Sequence, residues 1–335
     1  MNKLWIAAAV VLAVALIAAG CGGTSDDEGG ASGSGSTKLS LAAYSTPREA
    51  YAELIPAFAK TPEGEGVSIT QSYGSSGEQS RAVESGLPAD VVAFSLAPDV
   101  TRLVEAGIVA EDWASGDHDG MVTDSVVVFA VRKGNPKGIE TWDDLLREDV
   151  DVITPNPFTS GGARWNVMAA YGAQLKQGKS KEEAVQYLRD LFANVSVQDK
   201  SARESLQTFA SGKGDVLIAY ENEAITAQQA GQPLEYVIPD QTILIENPVA
   251  VTKDAPEQAQ AFVDYLRTPE AQKVFAEKGY RSVLPDVVDE ERYPTPQTLY
   301  TIDDLGGWDA VTSDFFDRED GIFAAIQRDL GEPTE

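Results

Sequence analysis

The sequence predicts an α/β protein of two sheets, each covered by helices on both faces. Strand-like and helix-like segments alternate from residue 38 to the end of the chain, the pattern of a layered α/β architecture. About 300 residues follow residue 37, more than one lobe usually holds. Hydrophobic residues make up 43% of the chain, so a full core is available. Two long apolar runs, 125–131 and 243–251, are suited to link one sheet to the other.

The start of the chain has a different character. Asn2 and Lys3 open it, residues 4–19 are unbroken apolar, and Gly20-Cys21 ends the run. A run of about sixteen residues suits a signal peptide and falls short of the ~20 that a spanning helix needs. Residues 22–37 form a Gly/Ser/Asp/Glu stretch too polar to fold. Together these features resemble a bacterial lipoprotein signal. Residues 1–20 are then the signal peptide, Cys21 the lipidated residue and 21–37 a flexible tether. An ordinary cleaved signal with an incidental cysteine is the alternative. Cys21 is the only cysteine, so an internal disulfide is excluded and the fold must rely on its core.

Past the tether, apolar and β-branched runs place strands at 38–43, 67–71, 89–95, 125–131, 150–154, 195–198, 215–220 and 234–238. Longer segments place helices between them, at 47–59, 79–85, 98–106, 141–146, 163–176, 181–192, 205–211 and 223–230. Three more, at 256–267, 269–278 and 308–330, close the chain. The strand at 125–131 runs into Lys133-Gly134-Asn135-Pro136, a turn sequence.

Charge narrows the function. With 26 Lys+Arg against 53 Asp+Glu the net charge is −27, which argues against nucleic acid or an anionic membrane surface as partner. His118, the only histidine, lies in an Asp/Gly-rich stretch and reads as a solvated loop residue. Without a second histidine or a free cysteine in the mature chain, a Ser-His-Asp triad and a zinc site lack their parts. Trp142, Trp165 and Trp308 read as core rather than as a sugar platform.

Three places repeat one plan of strand, small-residue loop and helix start. They are Tyr73-Gly74-Ser75-Ser76-Gly77, the stretch from Pro155 to Gly162, and Gln198-Asp199-Lys200-Ser201-Ala202. A helix start leaves backbone N–H groups unpaired and carries the positive end of the dipole. Glycine lets the main chain come close to a ligand, and serine adds a hydroxyl donor. That is the chemistry of an anion cradle, although serine and glycine are also ordinary caps and turn formers. The first loop has Glu78 where a nucleotide phosphate loop needs lysine.

At these loops a resemblance emerges. Val152-Ile153-Thr154-Pro155-Asn156-Pro157, continuing through Ser160-Gly161-Gly162-Ala163-Arg164-Trp165-Asn166, resembles the signature of the bacterial sulfate/thiosulfate-binding proteins. Val131-Arg132-Lys133-Gly134-Asn135-Pro136-Lys137, Glu221-Asn222-Glu223-Ala224 and Gly306-Gly307-Trp308 are similar to further segments of that family. The resemblance extends over residues 38–330.

It implies a two-lobed periplasmic binding protein fold of class II, with each lobe a mixed sheet flanked by helices and the ligand in the cleft. The lobes would be 38–124 plus 248–335, and 125–247. It also implies a dehydrated dianion held by neutral donors: the hydroxyl and N–H of Ser76, the hydroxyl of Ser160, and N–H groups of Ser160, Gly161, Gly162 and Ala202. Tyr220 stands where the family usually has a tryptophan. Ser45, Ser75, Gly77 and Arg203 would contribute more remotely. In Tyr44-Ser45-Thr46-Pro47-Arg48-Glu49 the acid of the family's Tyr-Asp-Pro-Thr-Arg-Glu is lost. The implied ligand is sulfate or thiosulfate; molybdate, phosphate or a secreted hydrolase on the same scaffold stay open. Importer permease subunits are the implied partners, for a monomeric non-enzyme with no cofactor or metal, held outside the cell membrane by the lipid on Cys21.

Overall fold

The computed structural model describes residues 36–287 and 291–334; Cys21, the expected signal peptide and residues 21–35 of the tether lie outside them. The chain begins as β1 (Thr37–Tyr44), α1 (Arg48–Phe58), β2 (Val67–Gly74), α2 (Ser76–Glu84), β3 (Val91–Ala93) and α3 (Ala97–Glu105). These strands are parallel, with β1 between the other two. Successive β1 side chains face opposite ways. Leu39, Leu41 and Ala43 pack with α1 and later helices, and Ala42 packs with Val83, Val100 and Leu103 under α2 and α3.

The long β4 (Met121–Arg132) follows, then β5 (Val152–Ile153), α4 (Gly161–Lys176), α5 (Lys181–Ala193), β6 (Val195–Val197) and α6 (Ala202–Ala210). Next come β7 (Val216–Tyr220), α7 (Glu221–Gln229), β8 (Leu234–Val237) and β9 (Gln241–Val251). The rest is helical apart from one strand: α8 (Glu257–Leu266), α9 (Pro269–Glu277), β10 (Thr298–Tyr300), α10 (Gly307–Phe316) and α11 (Ile322–Leu330).

The strands run in the order β2-β1-β3-β9-β4-β7-β5-β6, with β8 beside β4 and β10 beside β9. Both long strands change neighbours midway. Residues 249–251 of β9 pair with β3, and 244–248 pair with β4. Residues 127–131 of β4 then pair with β7. The two apolar runs singled out as links are therefore bonded to each other and carry the sheet from one half to the other. Helix α4 lies in the second half and is buried almost all round, so it has no polar face to show.

Two expectations change. The helix expected over 308–330 is broken between α10 and α11, because the Asp317 carboxylate accepts the N–H groups of Glu319 and Asp320 and closes a turn. The grouping of all of 248–335 with the first half also does not follow the packing. Tyr300, Phe315, Phe316 and Phe323 join the cluster of Trp165, Tyr171 and Phe192 on α4 and α5. Gly172 leaves the space that the Tyr300 ring fills, since a Cβ there would come within 2.4 Å of it.

Candidate functional site

Where the two halves meet, the ends of several strands enclose a cavity of about 10 Å³, with no room for a sugar or a nucleotide. Tyr44, Ser45 and Thr46 reach it from the end of β1, and Gly74, Ser75 and Ser76 from the step between β2 and α2. Ser95 enters after β3, Ser160 and Gly162 at the start of α4, Ser201 and Ala202 at the start of α6, and Tyr220 at the end of β7. In open α/β sheets this carboxyl edge of the strands is where ligands bind. None of the lining residues carries a charged side chain.

Their donors are unspent. The hydroxyls of Tyr44, Ser95 and Tyr220 are buried without a hydrogen-bond partner, a condition that costs roughly 1–3 kcal/mol per group unless something fills it. Burial, first of all, pushes the phenols of Tyr44 and Tyr220 well above their ordinary range, so both remain protonated donors. The first turns of α2 and α4 are buried, and their N-cap residues Ser75 and Ser160 make no side-chain cap. By contrast Ser180 and Thr268 cap α5 and α9 in the usual way. A buried helix start without a cap leaves N–H groups free for a ligand.

The residues read from the sequence fare differently one by one. Ser160 is only 4% exposed; its own N–H donates to Asn156 O and its hydroxyl is left to the cavity. Gly162 and Ala202 face it as well. A Cβ on Gly162 would lie 3.4 Å from Ser160 Oγ and 3.5 Å from the Tyr220 ring, so these groups share one small space. Gly161 is not among the lining residues; the place a Cβ would take there is filled by Ser95 Oγ, which does line the cavity, and by Leu96.

Ser76 lines the cavity, but its hydroxyl is committed: it donates to Asp99 Oδ2 at 2.5 Å and accepts from Ser95 N–H at 3.0 Å. The expected hydroxyl donation is thus spent on Asp99, leaving Ser76 its N–H. The Ser75 hydroxyl likewise donates to Glu78. Gly77 packs against Thr159 O, and a Cβ there would stand 3.0 Å from it. Ser45 lines the cavity and offers its carbonyl to Arg203.

Ser95 was not anticipated; Gly74 and Ser201 lie in two of the loops read as anion cradles, and Tyr44 and Thr46 in the 44–49 segment, but none of these was named as a ligand contact. Their position at strand ends was the available signal. Ser95 has the best fixed backbone of them: its carbonyl accepts Trp165 Nε1–H at 2.7 Å and Asn247 Nδ2–H at 3.0 Å, while its hydroxyl stays unpartnered.

Arg203 does not reach the cavity. Its guanidinium takes Glu49 in a fork, at 2.7 and 2.5 Å, and also donates to Thr46 O. Glu49 lies in the first turn of α1 and Arg203 in the first turn of α6, so the pair clasps one half to the other. Burial works to raise the Glu49 carboxyl, but the hydrogen bond and charge of Arg203 outweigh it and hold the group below its ordinary value of 4.5. A lowered carboxylate contributes above its unfolded value and stops contributing as pH falls through its folded one. The clasp therefore weakens only below about pH 4.5. Glu49→Gln is expected to speed ligand release severalfold near neutral pH with little change in melting temperature, since the pair is partly exposed. Stopped-flow displacement measures this, and an unchanged release rate would remove the clasp.

Behind the clasp lies Glu223, which burial pushes up to about 7 against the pull of Arg203. Closer to Ser76, burial likewise raises the Asp99 carboxyl, against the pull of Arg164. Both acids stand behind the lining rather than in it.

Comparison with known proteins places the chain in a family. Residues 39–281 match the family described as bacterial extracellular solute-binding protein. The sulfate-binding protein of Synechococcus elongatus is 41% identical, over 96% of this chain and 95% of its own. The thiosulfate-binding protein of Escherichia coli is 39% identical, over 84% and 88%. Among solved structures, the sulfate-binding protein SubI from Mycobacterium tuberculosis superposes with a TM-score of 0.82 at 44% identity, over 84% of this chain and 100% of that one. With its cavity at the strand ends and relatives of this kind over nearly its whole length, the chain belongs to the family of bacterial extracellular solute-binding proteins.

Proposed function

We propose that this protein captures sulfate, or thiosulfate, outside the cell membrane and delivers it to an ABC-type importer. The observation that carries the reading is the uncharged cavity in which orphaned hydroxyls and two uncapped helix starts converge. Sulfate is fully ionised at neutral pH and offers only acceptors, so it can take a hydrogen bond from each of these donors. Phosphate still carries a proton there. With no carboxylate in the lining to receive it, that proton faces donors in a dry site, a loss of several kcal/mol. The surface charge of −27 is no obstacle, because charges beyond ~8 Å are largely screened at physiological salt.

In this reading the protein is a monomeric binding protein and not an enzyme. Its lobes are 38–124 with 248–297, and 125–247 with 298–335, closing over the anion and offering the closed shape to the permease subunits. Ser160, Gly162, Ala202 and Tyr220 touch the ligand together with Ser95 and the N–H of Ser76. A lipid on Cys21 keeps the protein at the membrane. For five heavy atoms at ~1.5 kcal/mol each, affinity reaches about −7.5 kcal/mol, low micromolar.

Calorimetric titration of sulfate-free protein with sulfate, thiosulfate, molybdate and phosphate tests this. Strong heat from sulfate or thiosulfate with phosphate silent is the expected result. Phosphate binding as tightly as sulfate would defeat the donor-only cavity.

A further inference from the structure

On the seam between the halves, outside the cavity already described, lies an open depression of about 650 Å³. Arg102 of α3, Arg164 of α4 and Arg318, just past α10, line it. In a chain with twice as many acids as bases this grouping is unusual. Arg102 comes no nearer than 4.0 Å to Glu84, and among the described residues Arg164 and Arg318 form no ion pair. Arg164 Nε donates to Pro157 O, and its guanidinium lies 4.8 Å from the centre of the Phe316 ring, which fixes it facing the depression. Two further donors there are buried without a partner, Arg102 Nε and Thr312 Oγ1.

The guanidiniums repel one another. Burial comes first in pushing Arg164 down to about 10, and Arg102, Arg81 and Arg318 push the same way against Asp99. Glu105, Asp309, Asp317 and Glu319 also stand around the depression, all four exposed to solvent, as is Arg318, whereas Arg102 and Arg164 are half-buried. The Asp317 carboxylate is moreover turned onto the N–H groups of Glu319 and Asp320. Positive charge and unspent donors thus converge where a bound anion would relieve both.

We propose that this depression is a second, weaker site for a free tetrahedral oxyanion, held by Arg102, Arg164, Arg318 and the Thr312 hydroxyl. Arg102 belongs to the first half, while Arg164 and Thr312 sit on helices packed with the second. An anion bound between them ties the halves together and slows escape from the enclosed cavity. Solvent screening keeps the affinity in the millimolar range. Coupling is reciprocal, so sulfate in the cavity raises the affinity of the second site by the same factor.

Inorganic phosphate is the probe. The full chain, saturated with micromolar sulfate, is dialysed against radiolabelled phosphate at ionic strength held constant with chloride. One phosphate per chain is expected, with binding tenfold or more weaker in the Arg102→Ala/Arg318→Ala double variant, which retains its sulfate. Phosphate is also expected to slow dissociation of labelled sulfate at least twofold. Absence of saturable phosphate binding, or equal binding by the double variant, overturns the site. Phosphate that binds without slowing sulfate release overturns the bridging. If phosphate displaces sulfate in place of adding to it, both this site and the selectivity proposed for the cavity fall.

Discussion

Gly161→Ala is expected to weaken ligand binding at least a hundredfold while leaving the protein folded. A Cβ at this position would lie 2.2 Å from Ser95 Oγ and 2.6 Å from Leu96 Cδ2. Leu96 cannot yield, and Ser95 can do so only by turning its unpartnered hydroxyl. Ser95 is tied by its N–H to Ser76 and by its carbonyl to Trp165 and Asn247, and Leu96 is fully buried. Relief comes by turning the Ser95 hydroxyl from its place in the cavity or by drawing the start of α4 away from the loop after β3, and either disturbs the site. Alanine is meanwhile the better helix residue by up to ~1 kcal/mol, so α4 itself does not suffer. A hundredfold loss corresponds to about 2.7 kcal/mol, and calorimetry beside thermal melting separates it from unfolding. Wild-type affinity in the variant would mean that the halves do not close at this contact. Gly162→Ala makes the contrast. Its methyl meets Ser160, Tyr220 and Ala202 at 3.4–3.6 Å, an ordinary contact, so the expected loss is smaller and comes from the space taken inside the cavity.

The same residues show how far the sequence could be read. Strand and helix order was legible because apolar periodicity changes from segment to segment. The cavity-side helices, however, begin two or three residues before the places expected for them: α2 at Ser76, α4 at Gly161, α6 at Ala202 and α7 at Glu221. Serine and glycine read as turn and cap residues, and here they form the first helical turn instead. That shift turns free N–H groups of two of these helices toward the cavity. The commitment of the Ser76 hydroxyl to Asp99 was hidden, because 23 residues separate the partners and only the packing of α2 on α3 joins them. Arg203 was read as a remote contributor to the ligand site for a similar reason, its partner Glu49 lying 154 residues away. Ser95 escaped notice, and Tyr44 was named without a role, because nothing local marks a single hydroxyl at a strand end. The C-terminal stretch was misplaced since aromatic residues such as Phe316 and Phe323 do not announce which core they enter.

Removing single donors from the cavity is expected to produce the other large effect. Ser160→Ala deletes a hydroxyl that caps nothing in the folded protein. A hydrogen bond to a charged group contributes about 1.5–3 kcal/mol, so sulfate affinity is expected to fall roughly 10- to 150-fold. Tyr220→Phe removes a hydroxyl that is buried and unpartnered when the cavity is empty. In the free protein that hydroxyl is a liability, and its loss is expected to hold or raise the melting temperature. In the complex it is a donor to the anion, and its loss is expected to weaken binding at least severalfold. The opposite signs are the diagnostic: a hydroxyl that served only the fold would lower stability when removed and leave affinity alone. Equal sulfate affinity in Tyr220→Phe and the parent protein would mean that the phenol does not reach the anion. The cavity would then rest on Ser95, Ser160 and the helix starts alone.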